Sequence, residues 1–321
     1  MNRRRLSQQQ QRRIAAQADR EIAKAGAAIG EQRTGLVIAR YGKRALVEAT
    51  DGERRLCYLR SRIDNVVAGD RVVWQPSEDA GVIEARDDRR SVISRPDARG
   101  NPKPLAANID RMLLVIAPAP EPHANLIDRY LVAAAHAGLA VTLVLNKTDM
   151  LSKDDSVRIL AERYQSLGYP LVQTDRESDP HAVQLKSQLK NETVILVGQS
   201  GVGKSSLIRR LMPDLDIRIG ALSEQVQKGR HTTTAAELYH FPEGGSLIDS
   251  PGIREFHLHH MEAAQIAQGF TDFEPYLGLC QFRDCRHDGE QGCAIAAAAD
   301  NGELLTERLE SYRLILSAPE P

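Results

Sequence analysis

The sequence predicts a multidomain protein with an N-terminal OB-fold (oligonucleotide-binding) β-barrel, a central α/β P-loop domain and a mostly helical C-terminal domain that binds a metal. Short β-like runs fill residues 34–98, buried strands then alternate with helices around a phosphate-binding loop, and thiols cluster near the C-terminus. We place the limits at 1–33 for a basic flexible extension, 34–98 for the barrel, 99–262 for the α/β domain and 263–321 for the metal-binding domain with its C-terminal helix.

Overall composition excludes a strongly charged or membrane-spanning protein. The 42 basic residues nearly balance the 43 acidic ones, so no global field attracts a polyanion. The longest apolar run, Leu131 to Leu145, is interrupted by His136 and Gly138 and is shorter than the ~20 residues that a membrane span needs. We expect a soluble, cytoplasmic monomer without membrane association.

The N-terminal arm is locally basic. Residues 1–24 contain seven arginines and lysines but only two acidic residues. Such an arm is either a solvated, mobile extension or a contact for RNA phosphates, and the sequence leaves both interpretations open.

Five β-like runs predict the barrel, because the OB fold is the commonest five-stranded match at this spacing. The runs are Gly35–Ala39, Arg44–Ala49, Leu56–Leu59, Asp70–Trp74 and Gly81–Ala85. An OB fold often binds RNA, but such a barrel also serves as a spacer. Arginines and prolines follow up to Pro104, and we interpret them as a basic linker with a domain boundary near residue 100.

A phosphate-binding loop of the form G-x-x-x-x-G-K-S lies between the apolar run Thr193–Val197 and a segment with helical spacing. Its glycines let consecutive backbone N–H groups surround a β-phosphate at the helix N-terminus. Lys204 is expected to reach the β- and γ-phosphates during catalysis, and Ser205 to bind Mg²⁺. The alternative is a glycine-rich turn without a ligand. The predicted nucleotide-binding residues here are Gly198, Gln199, Ser200, Gly201, Val202, Gly203, Lys204, Ser205 and Ser206.

A second motif, N-K-x-D, follows the buried strand Val141–Leu145 and comprises Asn146, Lys147, Thr148 and Asp149. A carboxylate at Asp149 accepts hydrogen bonds from guanine N1–H and N2–H₂, which adenine lacks. Asn146 can bond the N7/O6 side of the purine, and the Lys147 stem can lie over the ring. Alone, the pattern also fits a surface turn; at a strand end in a P-loop protein it predicts guanine recognition.

Two later segments match nucleotide switches. In Gly229–Thr234 a threonine, which we assign as Thr233, is expected to complete the Mg²⁺ shell and to act in catalysis; a threonine-rich strand start is the alternative. In the D-x-P-G that begins at Asp249, that carboxylate is expected to hold Mg²⁺ through water, and the Gly252 N–H to sense the γ-phosphate.

The order of these motifs predicts a circularly permuted GTPase domain, because N-K-x-D precedes the phosphate loop and D-x-P-G comes last. Ras-type enzymes place a water-orienting glutamine directly after D-x-x-G, where this chain has Ile253. Intrinsic hydrolysis is therefore expected to be slow unless another group substitutes. His231 is our candidate catalytic group, and a contact with a partner is the alternative role for it.

Near the C-terminus, three thiols and one imidazole fall within fourteen residues: Cys280, Cys285, His287 and Cys293. Four such ligands fill the tetrahedral shell of Zn²⁺, so the predicted site is structural rather than catalytic. Unrelated free cysteines are the alternative, but only Cys57 lies outside this window.

The chain resembles the small-subunit-dependent ribosomal GTPases of the RsgA (YjeQ) family in its combination of a barrel, permuted motifs and a Cys₃His cluster. The family-like stretches are Asn108–Asp110, Asn146–Asp149, Gly198–Ser206, Gly229–Thr234, Asp249–Gly252 and the cysteine cluster. The resemblance implies a late assembly factor that binds the 30S ribosomal subunit and its 16S rRNA through barrel and zinc domain, and whose GTP hydrolysis the subunit stimulates. It implies one structural Zn²⁺, and Mg²⁺ with GTP or GDP. The fifth guanine motif departs from the usual Ser-Ala, with Thr174 and Asp175 in its place.

Two other functions remain open at this point. An RNA-binding module or chaperone could keep guanine nucleotide as a structural or switching ligand with incidental turnover, as Ile253 allows. An adenosine nucleotide enzyme is the third reading, and its base preference would not depend on Asp149.

Overall fold

The structure is a computed structural model that describes residues 30–63, 65–78, 80–96, 101–152, 155–175, 179–213, 236–249, 258 and 261–317. In the described residues, the strands are β1 (Arg33–Tyr41), β2 (Arg44–Ala49), β3 (Arg54–Leu59), β4 (Arg71–Pro76), β5 (Gly81–Arg86), β6 (Val92–Pro96), β7 (Pro102–Ala107), β8 (Arg111–Ile116), β9 (Ala140–Leu145), β10 (Leu171–Gln173), β11 (Thr193–Val197), β12 (Glu237–His240) and β13 (Ser246–Asp249). The helices are α1 (Ala124–His136), α2 (Ser156–Ser166), α3 (Asp179–Gln188), α4 (Lys204–Leu211), α5 (Ala263–Gln268), α6 (Ala294–Asp300) and α7 (Thr306–Ser317), with 3-10 turns at Thr148–Met150 and Thr271–Tyr276.

The first five strands close into a barrel with the order β1-β2-β3-β5-β4, and β4 pairs back onto β1. Its β3–β5 pairing is parallel and the other pairings are antiparallel. Trp74 fills the interior, fully buried, and two glycines make room for it: an added Cβ would come within 2.9 Å of the indole at Gly35 and within 2.8 Å at Gly81. The predicted OB-fold barrel is confirmed.

The stretch that we expected to be a basic linker instead contains a two-stranded antiparallel ribbon of β6 and β7. Prolines near its turn made it look like a linker, since Pro96 pairs with Pro102 and Ser94 with Pro104. In a two-stranded ribbon each strand has an unpaired edge, where a missing proline N–H costs no ladder hydrogen bond. An isolated bridge between Ala68 and Ala106 attaches this ribbon to the barrel.

The central domain is an α/β sheet of order β10-β9-β8-β11-β13-β12, parallel except for the antiparallel β12. Alternate residues of β8 enter opposite cores, because successive side chains of a strand point to opposite faces. Met112 and Leu114 pack in the core with α1 and α2, whereas Leu113 and Val115 pack in the core with α4. Both faces of the sheet are therefore covered, as the continuous apolar strands predicted.

The Asn108–Asp110 stretch joins the barrel to this sheet. The Asn108 side chain donates to Gly69 O at 2.8 Å and accepts from Arg90 N at 3.0 Å. Asp110 Oδ2 accepts from the first residue of β11, Thr193 N, at 2.8 Å. Gly69 lies so close to the neighbouring main chain that an added Cβ would be 2.1 Å from a main-chain oxygen.

A second contact between these domains runs through β12, which pairs with β1 of the barrel at Glu237 and Ala39. Beside it, Glu48 Oε1 lies 2.6 Å from His240 Nε2, and Glu48 Oε2 accepts from Arg54 at 2.6 Å. Burial alone would raise the pKa of Glu48, but the hydrogen bonds with His240 and Arg54 hold it below its usual value. The two sheets consequently form one eleven-stranded sheet.

The C-terminal helices pack onto α1 around one buried arginine. Arg308 of α7 donates to Asp272 at 2.7 and 3.0 Å and to Asp128 of α1. Its guanidinium lies 4.4 Å from the centre of the Phe270 ring. Tyr164 of α2 donates to Asp128 at 2.6 Å, so four elements meet at this ion-pair network. Among the described helices, none is long and apolar enough to cross a membrane.

Removal of this arginine tests the network. Because Arg308→Ala leaves the 1% exposed Asp128 carboxylate without its cation, we expect a loss of about 3–5 kcal/mol in the free energy of unfolding. Arg163→Ala is the matched control, since it removes an exposed pair between α2 and Glu307 of α7 and should cost less than about 1 kcal/mol. Chemical denaturation followed by circular dichroism measures both, and equal losses would contradict the prediction.

Candidate nucleotide and metal sites

The predicted motifs meet at one edge of the sheet. The parallel neighbours β9, β8, β11 and β13 end side by side, and the motifs follow three of these strands. Asn146 follows β9, Gly198 follows β11, and Asp249 ends β13. Crevices outside the carboxyl ends of parallel strands are the usual ligand sites of open α/β sheets.

The phosphate loop has the glycine geometry that its sequence predicted. Gly198 has φ 137°, and an added Cβ would lie 2.2 Å from Val115 O. Gly203 has φ 98°, and an added Cβ would lie 2.3 Å from Asn146 Nδ2. The Lys204 ammonium donates to Gly198 O at 2.6 Å and to Gln199 O at 2.7 Å, so it lies across the loop that would surround a phosphate.

The N-K-x-D segment is hydrogen-bonded directly to this loop. Asn146, almost fully buried, donates through Nδ2 to Val202 O at 2.8 Å. Lys147, at φ 60°, donates through Nζ to Ala119 O and to Gly201 O, both at 2.7 Å. Its ammonium is thereby held on the loop rim, and its aliphatic stem is the part left to cover a base. Asp149 lies exposed in the 3-10 turn, where a carboxylate can accept from a purine edge.

Thr174, assigned above to the fifth guanine motif, and Arg210, which had no predicted role, hold Asn146 in place. Thr174, which follows β10 and is fully buried, donates its hydroxyl to Asn146 Oδ1 at 2.9 Å. Its main-chain oxygen accepts from Thr148 N at 3.1 Å. Arg210 of α4 donates to the same Oδ1 at 3.3 Å and to Asp175 O. Thr174 was expected near the fifth motif by chain order alone, whereas no local signal distinguished Arg210 from its neighbour Arg209.

Asp249 is half-buried at the end of β13, opposite Glu237 of β12. Burial raises the pKa of the Asp249 carboxyl, and the nearby Lys204 cation opposes that rise. A carboxylate and a hydroxyl are oxygen donors of the kind that Mg²⁺ binds, and Ser205, the residue after Lys204 in α4, offers the hydroxyl. The chemistry of this donor pair fits magnesium. The other predicted switch and catalytic residues, His231, Thr232, Thr233, Thr234, Gly252 and Ile253, lie outside the described residues.

The four predicted zinc ligands come together near the N-terminus of α6. Their ligand atoms all lie within 4.8 Å of one another. His287 Nδ1 is 3.5 Å from Cys280 Sγ, 3.6 Å from Cys285 Sγ and 3.4 Å from Cys293 Sγ. Tetrahedral Zn²⁺ with ordinary bond lengths separates its nitrogen and sulfur ligands by about 3.6 Å. The cluster therefore fits a zinc ion, and all four positions would be filled by protein.

Groups around this cluster prepare it for a cation. Ala294 N donates to Cys280 Sγ at 3.4 Å, and Ala296 N to Cys293 Sγ at 3.5 Å, which favours thiolates. Burial lowers the pKa of His287, which favours the neutral imidazole that binds a metal, and burial raises the pKa of the Cys285 thiol to about 12. A bound cation would displace the thiol protons.

Fold and site together define a P-loop GTPase in which the guanine motif precedes the phosphate loop, that is, a circularly permuted GTPase. A family model described as RsgA GTPase matches residues 86–259. The Small ribosomal subunit biogenesis GTPase RsgA of Azotobacter vinelandii is 50% identical, over 99% of this chain and 96% of that protein. The chain therefore belongs to the RsgA family of small ribosomal subunit biogenesis GTPases.

Solved structures agree with this assignment. The crystal structure of YjeQ from Thermotoga maritima matches with a TM-score of 0.73 and 33% identity, over 90% of this chain and all (100%) of that one. The structure of YloQ, described as a circularly permuted GTPase, matches with a TM-score of 0.69 and 25% identity, over 91% of this chain and 98% of that one. The predictions of a GTPase and of a permuted α/β domain are confirmed.

Proposed function

We propose that this protein hydrolyses GTP to GDP and phosphate while it acts as a late maturation factor of the 30S ribosomal subunit that binds its 16S rRNA, and that the subunit stimulates the reaction. The observation that carries the proposal is the direct bond between the two recognition motifs, Asn146 Nδ2 to Val202 O at 2.8 Å, in a chain whose relatives are named for small-subunit biogenesis. We place its action in the cytoplasm, as a monomer.

In this proposal each motif has one task in nucleotide binding. Backbone N–H groups of Gly198–Ser206 bind the β-phosphate, and Lys204 moves from the loop carbonyls to the β- and γ-phosphate oxygens. Asn146 donates through Nδ2 to purine N7, the Lys147 stem covers the ring, and Asp149 accepts from N1–H and N2–H₂. Mg²⁺, when bound by Ser205, Thr233 and Asp249, would neutralise charge on the phosphates.

Hydrolysis requires a water molecule in line with the bond between the γ-phosphorus and its leaving oxygen. Ile253 has no group that can orient water, so we assign that role to His231, placed by an external partner. The water proton would pass to the imidazole or to solvent as phosphate separates from GDP. The Gly252 N–H would then lose its γ-phosphate contact, and the segment after it would be released toward the C-terminal domain.

The barrel, taken as residues 34–98, is proposed to bind RNA. Its β1–β2 turn presents Lys43 and Arg44 as exposed cations, and Arg44 lies 5.9 Å from the centre of the Tyr58 ring. A cation beside an aromatic ring suits phosphate contact with base stacking. Within the same proposal, residues 99–262 form the GTPase domain and 263–321 the domain that a structural Zn²⁺ braces through its Cys₃His cluster.

Phosphate release from the purified protein tests the enzymatic proposal. We expect slow intrinsic turnover that 30S subunits raise roughly tenfold or more, because the partner completes the catalytic site. His231→Ala should lose the stimulated rate and keep GTP binding, and 50S subunits serve as the partner control. Turnover that does not change with 30S concentration would favour the alternative of an RNA-binding module with incidental hydrolysis.

A change of base preference tests guanine recognition. Asp149→Asn replaces an acceptor with an amide, so affinity for GTP should fall roughly a hundredfold while affinity for XTP rises. Asp155→Asn, the same chemical change at the N-cap of α2, should leave both affinities unchanged. Calorimetric titration measures these constants, and an unaltered preference in Asp149→Asn would mean that Asp149 does not read the guanine base.

Metal content tests the zinc cluster. Purified protein should contain about one Zn²⁺ per chain, and Cys293→Ala should lose it because three ligands no longer close the tetrahedron. Cys57→Ala is the matched control: it removes an equally buried thiol from the barrel and should keep the metal. Elemental analysis gives both values, and equal metal content in the two variants would exclude a Cys₃His site.

A further inference from the structure

The orientation of the Asn146 carboxamide, that is, which end carries Nδ2 and which Oδ1, is set by hydrogen-bond partners at both ends. Its Nδ2 faces the carbonyl of Val202, an acceptor only, at 2.8 Å. Its Oδ1 faces the Thr174 hydroxyl at 2.9 Å and a guanidinium nitrogen of Arg210 at 3.3 Å. A hydroxyl can donate or accept, so Thr174 alone would tolerate a flipped amide, whereas arginine has only donors. At the Oδ1 end, Arg210 therefore decides which way the carboxamide points.

Arg210 reaches this position from the phosphate-loop helix. It lies in the last turn of α4, half-buried, and its second nitrogen donates to the main-chain oxygen of Asp175. One guanidinium thus connects the helix that begins at Lys204, the strand end that carries Thr174 and the side chain of Asn146. Its donor to Asn146 is a cation, which can only donate, although the 3.3 Å separation is longer than that of a strong charge-assisted hydrogen bond.

We propose that Arg210 is a positioning residue for guanine recognition, which fixes the Asn146 carboxamide so that its remaining Nδ2 hydrogen points at purine N7. This inference rests on the proposed role of Asn146 in binding the base. Without Arg210 the Oδ1 end keeps only the Thr174 hydroxyl, so the carboxamide is held less firmly and its Nδ2 hydrogen is aimed less well at N7. Asp149, which reads the opposite edge of the base, is not held by Arg210.

Nucleotide analogues separate these two edges. GDP, 7-deaza-GDP, which lacks N7, and IDP, which lacks the 2-amino group, are titrated into wild type and Arg210→Ala. Wild type should lose affinity for both analogues relative to GDP. In Arg210→Ala we expect GDP affinity to fall about five- to twentyfold. The ratio of GDP affinity to 7-deaza-GDP affinity, which we call the 7-deaza penalty, should shrink toward onefold. The corresponding ratio for IDP should stay unchanged.

Two further variants complete the design. Arg209→Ala removes the neighbouring exposed arginine of the same helix and should bind all three nucleotides as wild type does. Arg210→Lys keeps one charged donor and should restore part of the 7-deaza penalty. This variant also tests the proposal if Arg210→Ala does not fold. Because the base contact is the same in ground and transition states, KM for GTP should rise in Arg210→Ala with kcat unchanged.

The outcomes separate the inference from the function on which it rests. If wild type binds 7-deaza-GDP as tightly as GDP, Asn146 does not read N7 and that part of the proposed function fails. If wild type shows the penalty and Arg210→Ala keeps all of it, the base site stands and the role of Arg210 is overturned. An equal loss for all three nucleotides in Arg210→Ala would also overturn it, because that is the result of general destabilisation.

Discussion

One buried carboxamide, that of Asn146, joins two loops that lie 56 residues apart in the chain, and the shape of the nucleotide site depends on this join. A buried amide that loses its partner costs free energy, so the loops cannot separate without a penalty. The same contact explains why Gly203 has no side chain, since a Cβ there would lie 2.3 Å from the amide nitrogen. The asparagine at 146 therefore requires the glycine at 203, because a side chain there would collide with its amide.

The permuted chain order is compatible with this requirement because the contacts do not depend on connectivity. β8, β9 and β11 are parallel neighbours, and whatever follows each strand meets at the same edge. The altered order changes instead which part of the chain follows Asp249. The segment after Asp249 runs on to the helices that Arg308 holds against α1, so the end of the nucleotide site and the C-terminal domain are consecutive in the chain.

Local patterns were sufficient for the parts of the molecule that depend on local chemistry. Glycine spacing predicted the phosphate loop, apolar runs predicted the buried strands, and three thiols with one imidazole predicted a cluster with zinc-like spacing. Contacts between distant segments had no such signal. The β6–β7 ribbon was missed because its prolines indicate a linker, and Arg210 because helical arginines usually point to solvent; only tertiary structure brings it to Asn146.

The pairing of β12 with β1 also determines how the central sheet ends. In the order β11-β13-β12, β12 would be an outer strand with a row of unpaired N–H and C=O groups. Such an edge is a template for pairing with other chains, which proteins avoid by covering it. In this protein β1 of the barrel pairs with β12 at Ala39 and Glu237, so the domain proposed to bind RNA also occupies part of that edge. An isolated central domain would lack this pairing and present the whole edge to other chains.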